Sequence, residues 1–212
     1  ALPTEPARTE AHAKRTHAMQ YTISTPRLCL VPFAERHLTA RYVGWLNDPA
    51  TVRYSEQRHR SHTLESCRDY WLSFRDSPHF FWAIEVRAAS LGHVGNMNAY
   101  IDRRNGLADL GILIGEQSAR GQGYALEAWV NVCNYLFVHG GIRKITAGML
   151  AANAPMRRLA RRARMRQDGV RRRHYLLDGH PADIVHTALF AEDWPRHVAP
   201  GASGALAALL PA

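Results

Sequence analysis

The chain has 212 residues, is 46% hydrophobic and carries a formal charge of +9 with a pI near 10.0. That length and apolar content support one substantial core, and no apolar run approaches the roughly 20 residues of a membrane helix, so a soluble single domain is expected. Cys29, Cys67 and Cys133 lie far apart, lack a Cys-x-x-Cys spacing and cannot all pair, which argues against a disulfide scaffold and for a reducing cytoplasm.

Residues 1–18 lack periodicity and read as a disordered extension; Met19 then opens a segment like an ordinary start, and the folded domain is expected over 19–196. Arg27 to Val31 alternates like a strand, and His37, Leu38, Tyr42 and Leu46 recur at helical spacing within Glu35 to Leu46. Thr63 is placed to cap a second helix running to about Phe74, with Glu65 in its first turn. Phe80 to Val86 and Leu91 to Ile101 read as strands separated by a short Ala-Ala-Ser turn. Asp102-Arg103-Arg104-Asn105-Gly106 signals a hairpin, so Leu107 to Ile114 returns antiparallel, and its apolar residues on both faces mark a central strand.

Gly121 to Val138 places Ala125, Ala128, Trp129, Val132, Cys133 and Leu136 on one helical stripe that stops at Gly140-Gly141. Lys144 to Met149 is the next strand, and a basic helix starts near Ala154. Two strands, Arg171 to Leu177 and Ile184 to Phe190, close the domain. Residues 197–212 are Ala/Gly/Pro-rich and read as a flexible tail, although Leu206 to Leu210 are apolar enough to cap a hydrophobic surface. The order of elements predicts an α+β fold with a mixed central sheet flanked by helices.

Between the strand ending at Gly115 and the helix after it runs Glu116-Gln117-Ser118-Ala119-Arg120-Gly121-Gln122-Gly123-Tyr124-Ala125. A strand that passes through glycines into a helix suits a phosphate: the backbone can approach closely, and the first-turn N–H groups and the helix dipole both favour an anion. A dinucleotide fingerprint would need a third glycine where Leu126 stands, and the Gly-Lys-Ser/Thr of a P-loop is missing.

These residues resemble the GNAT acetyltransferase superfamily, whose acetyl-CoA motif reads Gln/Arg-x-x-Gly-x-Gly/Ala at such a junction. Gly121 to Ala128 is similar to the branch containing the ribosomal-protein N-terminal acetyltransferases. Thr25-Pro26-Arg27-Leu28, Trp45-Leu46-Asn47-Asp48-Pro49, Asn153, Asp178-Gly179, Asp183 and Asp193-Trp194 match further features of that branch in order and spacing, over about residues 20 to 195. The resemblance implies a GNAT fold in which the strands Leu107 to Ile114 and Lys144 to Met149 splay apart to admit the pantetheine arm. It also implies acetyl-CoA as co-substrate, held by Leu113, Ile114, Arg120, Gly121, Gln122, Gly123, Tyr124, Ala125, Asn153 and Arg158.

Acetyl transfer needs a neutral amine. At pH 7 an alkylamine of pKa about 10.4 is neutral in roughly one molecule in a few thousand, against about one in ten for an α-amine near 8. Asp109, the acid inside an otherwise apolar central strand, is the candidate general base, directly or through water; the alternative is that it satisfies backbone N–H groups of the hairpin. A backbone N–H near Leu113 or Ile114 would stabilise the oxyanion. Many family members carry a tyrosine seven residues after the motif asparagine as general acid, but Ala160 stands there. Ser118, Met156 and Arg164-Met165 also depart from the family pattern, which leaves a degenerate acyl-CoA-binding module without catalysis as an alternative.

The basic charge concentrates in Arg157, Arg158, Arg161, Arg162, Arg164, Arg166, Arg171, Arg172 and Arg173, beside an apolar helical face of Met156, Leu159, Ala160 and Ala163. This block is a solvated face, a contact for the CoA 3′-phosphate or an acidic substrate, or a nucleic-acid surface. Its lack of base-reading chemistry disfavours the last. By the resemblance, the acceptor amine sits near the loop Val52 to Thr63, where Tyr54, Gln57, Arg58, His59 and His62 are the candidate contacts, together with the tip of the closing hairpin. A small molecule such as a nucleotide-linked amino sugar and a peptide N-terminus are both compatible acceptors, and a homodimer is allowed. No metal is expected, since His59 and His62 lack acidic or thiol co-ligands.

Overall fold

The computed structural model describes residues 22–88 and 91–194. The expected extension, the C-terminal tail and most of the Ala-Ala-Ser turn lie outside the described residues. Eight strands form one sheet: β1 (Ile23–Ser24), β2 (Leu28–Pro32), β3 (Phe80–Val86), β4 (Gly92–Asp102), β5 (Leu107–Ile114), β6 (Lys144–Leu150), β7 (Arg166–Leu177) and β8 (His180–Phe190). Their order is β1-β2-β3-β4-β5-β6-β8-β7, antiparallel throughout except for β5 against β6.

The helices are α1 (Ala40–Asn47), α2 (Pro49–Val52), α3 (Leu64–Leu72), α4 (Tyr124–Val138) and α5 (Ala154–Arg162). The expected helix from Glu35 is interrupted: Glu35–His37 forms a 3₁₀ turn, and α1 begins only where the Thr39 hydroxyl accepts from the Tyr42 N–H at 3.2 Å. A short polar side chain that caps so well ends one segment and starts another. Thr63 caps α3 as expected, with Ser66 answering it reciprocally. The last strands are longer than their apolar pattern indicated, because β7 starts at Arg166 and almost every residue on it is exposed.

Two apolar clusters cover the two faces of the sheet. On one face α4 and α5 bury Trp129, Val132, Leu136, Leu159 and Ala160 against Trp82, Ile84, Met97, Ala108 and Ile145. On the other, α1 and α3 pack Tyr42, Trp45 and Cys67 against Phe33, Phe81 and Ala83, toward the β2–β4 end. Burial at about 25 cal/mol per Å² of apolar surface drives both. Side chains alternate along each strand, so Asp109 points to the second face, opposite the buried Ala108 and Leu110.

Parallel β5 and β6 pair only at Leu107–Lys144, Ala108–Ile145 and Asp109–Thr146. Beyond that position they diverge, and β5 has no strand partner on its β6 side from Leu110 to Ile114. The splay expected of the central strands is present.

Candidate active site

The glycine loop is built to leave backbone donors open. Gly121 and Gly123 hold φ of +76° and +80°, left-handed values that side-chain-bearing residues rarely adopt. Gly123 is the N-cap of α4 and supplies no side-chain cap; its carbonyl accepts from the Glu127 N–H, so the amides of Tyr124, Ala125 and Leu126 have no intrahelical acceptor. Those donors sit at the positive end of a 15-residue helix.

Arg27 braces the loop from the other side. Its Nε donates to the Glu127 carboxylate at 2.6 Å, its Nη1 donates to the Gln122 carbonyl at 2.9 Å, and its guanidinium lies over the Tyr124 ring at 4.8 Å. Glu127 also accepts from the Arg27 N–H and the Thr25 hydroxyl, which explains locally why Thr25-Pro26-Arg27 accompanies this loop.

Arg120 is committed within the loop rather than presented outward. Its N–H donates to the Gln117 carbonyl, and its guanidinium donates to the carbonyls of Ile114 and Gly115 and to the Thr51 hydroxyl. Ser118 donates to Glu116, which in turn accepts from Arg41. Gly115 lies under the Trp45 ring so closely that a Cβ there would be 2.0 Å from it. The segment Trp45 to Pro49 therefore has local causes: Trp45 seats on Gly115, Asn47 exchanges two 2.8 Å hydrogen bonds with the His62 backbone, and Asp48 caps α2.

Asn153 follows β6 and its Oδ1 caps α5 by accepting from the Met156 N–H at 3.1 Å; Arg158 is exposed on that helix. Leu113 and Ile114 lie in the unpaired stretch of β5.

Asp109 stands at the last shared position of β5 and β6, where the Thr146 hydroxyl donates to its carboxylate at 2.6 Å. That hydrogen bond runs across the strands rather than to the hairpin backbone. Asp109 keeps an exposed edge, yet the strands crowd its carboxyl: burial raises its pKa above the ordinary carboxylate value, opposed by the Thr146 hydrogen bond and the charge of His186. Sequence reasoning did not single out His186, because its placement depends on strand register that no local pattern encodes.

The loop after α2 and the closing hairpin meet. Arg53 pairs with Asp178 at 3.0 Å, and Arg58, which also pairs with Glu56, donates to the Leu176 carbonyl at 3.0 Å. Tyr54, Gln57 and His62 are half-buried and His59 is exposed; burial lowers the pKa of His62. Of the five candidate acceptor contacts, Arg58 is the one bonded to the closing hairpin. Among the described residues no group of three or more His, Cys, Asp or Glu is placed to hold a metal.

A sequence model of the family described as "Acetyltransferase (GNAT) domain" matches residues 27–166. The chain belongs to the GNAT acetyltransferases. Acetyl-CoA is accordingly its co-substrate, and the open amides at the start of α4 together with the β5–β6 gap fit a diphosphate and an extended arm. Similar solved structures include RimL, a ribosomal L7/L12 alpha-N-protein acetyltransferase in complex with coenzyme A (18% identity, 80% of this chain and 97% of that one, TM-score 0.71). Mycobacterium smegmatis RimJ in complex with CoA-disulfide is similar too (20% identity, 86% and 88%, TM-score 0.70). So is spermidine N-acetyltransferase from Vibrio cholerae in complex with CoA and spermine (15% identity, 78% and 96%, TM-score 0.70). At these identities the likeness concerns the fold, and the GNAT assignment rests on the family match.

Proposed function

We propose that this GNAT enzyme, a domain spanning about residues 19–196, transfers the acetyl group to a primary amine by direct attack within a ternary complex. In this reading the amides of Tyr124 and Ala125, with the turn Arg120 to Gly123, hold the diphosphate. Leu113 and Ile114 line the arm, Asn153 and Arg158 flank it, and Asp109 accepts the amine proton. The observation that carries it is the separation of β5 from β6 immediately after Asp109–Thr146, which puts an acid at the closed end of a gap whose open end leads toward the uncapped helix.

The acceptor lies between the Tyr54–His62 loop and the hairpin tip. The segment from Arg53 to His62 carries Arg53, Arg58 and Arg60 against Glu56, and the outer part of the hairpin adds Arg171, Arg172 and Arg173 against Asp178 and Asp183, a net positive field. Such a field repels a polyamine and attracts an amine carried on an anionic molecule, so a nucleotide-linked amino sugar or an acidic peptide N-terminus suits it better than spermidine. Relatives of the same fold named for a ribosomal-protein substrate and for spermidine span this choice.

The test is thiol release from acetyl-CoA with a panel of an amino sugar nucleotide, a peptide with a free N-terminus, an aminoglycoside and spermidine. Product formation with an anionic amine acceptor is expected. Thermal stabilisation by acetyl-CoA without thiol release for any amine would instead identify a binding module. Neither response, together with a salt-sensitive shift on nucleic acid, would sink the reading.

A further inference from the structure

Two glycines flank the mouth of the β5–β6 gap, each two residues beyond the last pair Asp109–Thr146: Gly111 on β5 and Gly148 on β6. Each is covered by a polar side chain from the neighbouring outer strand. Asn98 stands opposite Gly111, and a Cβ on that glycine would be 2.4 Å from the Asn98 Oδ1. His186 stands opposite Gly148, and a Cβ there would be 3.3 Å from the imidazole Cε1 and 3.4 Å from Nδ1. Alternation puts Asn98, Gly111, Asp109, Thr146, Gly148 and His186 on one face of the sheet. The two missing side chains thus let an amide and an imidazole lean inward from opposite sides of the gap.

His186 has a second distinguishing property. Its Nε2 is shielded from solvent and makes no hydrogen bond with any described residue. A buried ring nitrogen is costly to leave unpaired, and such atoms in folded proteins call for a reason. Opposite it on β6 and β7 stand Gly148 and Gly169, which carry no side chain, and the titratable group that feels its charge is Asp109 on β5.

We propose that His186 is a second acid–base residue of the acetyl-transfer site, facing Asn98 across the strand gap and sharing the amine's protons with Asp109. The inference rests on the acetyl-transfer reading above. An alkylammonium acceptor must lose two protons. The Asp109 carboxylate takes the first, giving the free amine, whose nitrogen forms the new C–N bond at the thioester carbonyl as the C–S bond breaks. The second proton passes from nitrogen to the imidazole, which delivers it to the departing CoA thiolate; Asp109 returns its proton to solvent. The products are the amide, CoA thiol and one released proton. Asn98 is placed to orient the amine. This arrangement supplies a proton donor in a chain where Ala160, seven residues after Asn153, is buried in the core and has no ionisable side chain.

The wild-type protein, assayed with the best acceptor of the panel, is expected to show a two-limbed pH dependence of kcat between pH 5 and 9. His186→Gln is expected to lose about 100-fold in kcat and one of the two limbs. Thermal stabilisation by acetyl-CoA and KM for acetyl-CoA should stay within about twofold, since His186 is outside the diphosphate loop. His186→Asn serves if the glutamine variant does not fold, and Gly148→Ala, which pushes the ring while leaving it in the chain, is expected to lose about tenfold. A wild-type profile with a single limb, or a folded His186 variant within threefold of wild type with an unchanged profile, overturns the proposal while leaving the acetyl-transfer reading intact. Absence of turnover by the wild type with every acceptor removes that reading instead.

Discussion

Asp109 and Thr146 share the last paired position of β5 and β6, joined by a 2.6 Å hydrogen bond from hydroxyl to carboxylate. The bond lies where the sheet stops being continuous, so it both closes the strand pair and fixes the rotamer of the acid. Its donor favours the ionised carboxylate and works against the burial that raises the Asp109 pKa.

Since Asp109 acts as a base only when ionised, kcat/KM is expected to fall as the pH drops through its raised pKa. Thr146→Val removes the opposing hydrogen bond and should move that acid limb to higher pH. Asp109→Asn should lower kcat by about 100-fold or more while acetyl-CoA still stabilises the protein. Rates measured from pH 5 to 9 for the three proteins check both statements, and near-normal turnover of the asparagine variant would remove Asp109 from the chemistry.

Gly123→Ala is expected to damage coenzyme binding before it damages the fold. Its φ of +80° is costly for alanine by about 1–2 kcal/mol, whereas the space is adequate, with the nearest atom of Arg27 at 3.4 Å. Relief of that strain would turn the first amides of α4. The KM for acetyl-CoA should rise about tenfold, matching about 1.4 kcal/mol of lost binding, with kcat at saturation little changed.

Glu127→Ala tests the brace between the first strands and α4. The change frees the Thr25 hydroxyl, the Arg27 N–H and the Arg27 guanidinium at once. A loss of about 1–3 kcal/mol in urea denaturation is expected, together with a weaker acetyl-CoA thermal shift, because Arg27 also steadies the Gln122 carbonyl.

Two histidines predict acid sensitivity. His93 packs against Trp45 and His37 at ring separations of 5.0 Å, and burial lowers its pKa from 6.5 to about 4. Burial also lowers that of His37, held between the Ala34 N–H and Glu85, with Arg36 pushing the same way and Glu85 opposing. Between pH 6.5 and about 4 the unfolded chain binds protons that the folded one refuses, so stability is complete above pH 6.5 and is lost as the pH falls. A decrease on the order of 2 kcal/mol between pH 7 and 4.5 is expected in urea denaturation, with a shallower slope for His93→Gln. An unchanged midpoint over that range would contradict the burial argument.

Much of this architecture was legible in the residues. Strand β3 and the hairpin into β5 followed from alternation and the Asn105-Gly106 turn, and α4 from its apolar stripe, because those signals are local. Long β7 was read short, since an exposed edge strand rich in arginine carries no hydrophobic alternation. At the site, Asp109 and the glycine loop stood out as chemical exceptions within their segments. His186 and Asn98 did not, because what distinguishes them is a glycine on another strand. Arg120 was expected at the cofactor; its inward hydrogen bonding was not legible, because it depends on distant groups such as Thr51, 69 residues away in the chain.

The exposed border strand β7 has a consequence for the bare chain in solution. Among the described residues no strand pairs with its outer side, and the free edge of this twelve-residue strand makes a ready template for a second copy. Four arginines, and the register breaks after Gln167 and Arg171, interrupt that template by mutual repulsion and by bending it. Concentrated salt, which shortens the reach of charge to about 3 Å at 1 M, strips away the repulsion and leaves only the bends to keep neighbouring molecules from zipping together.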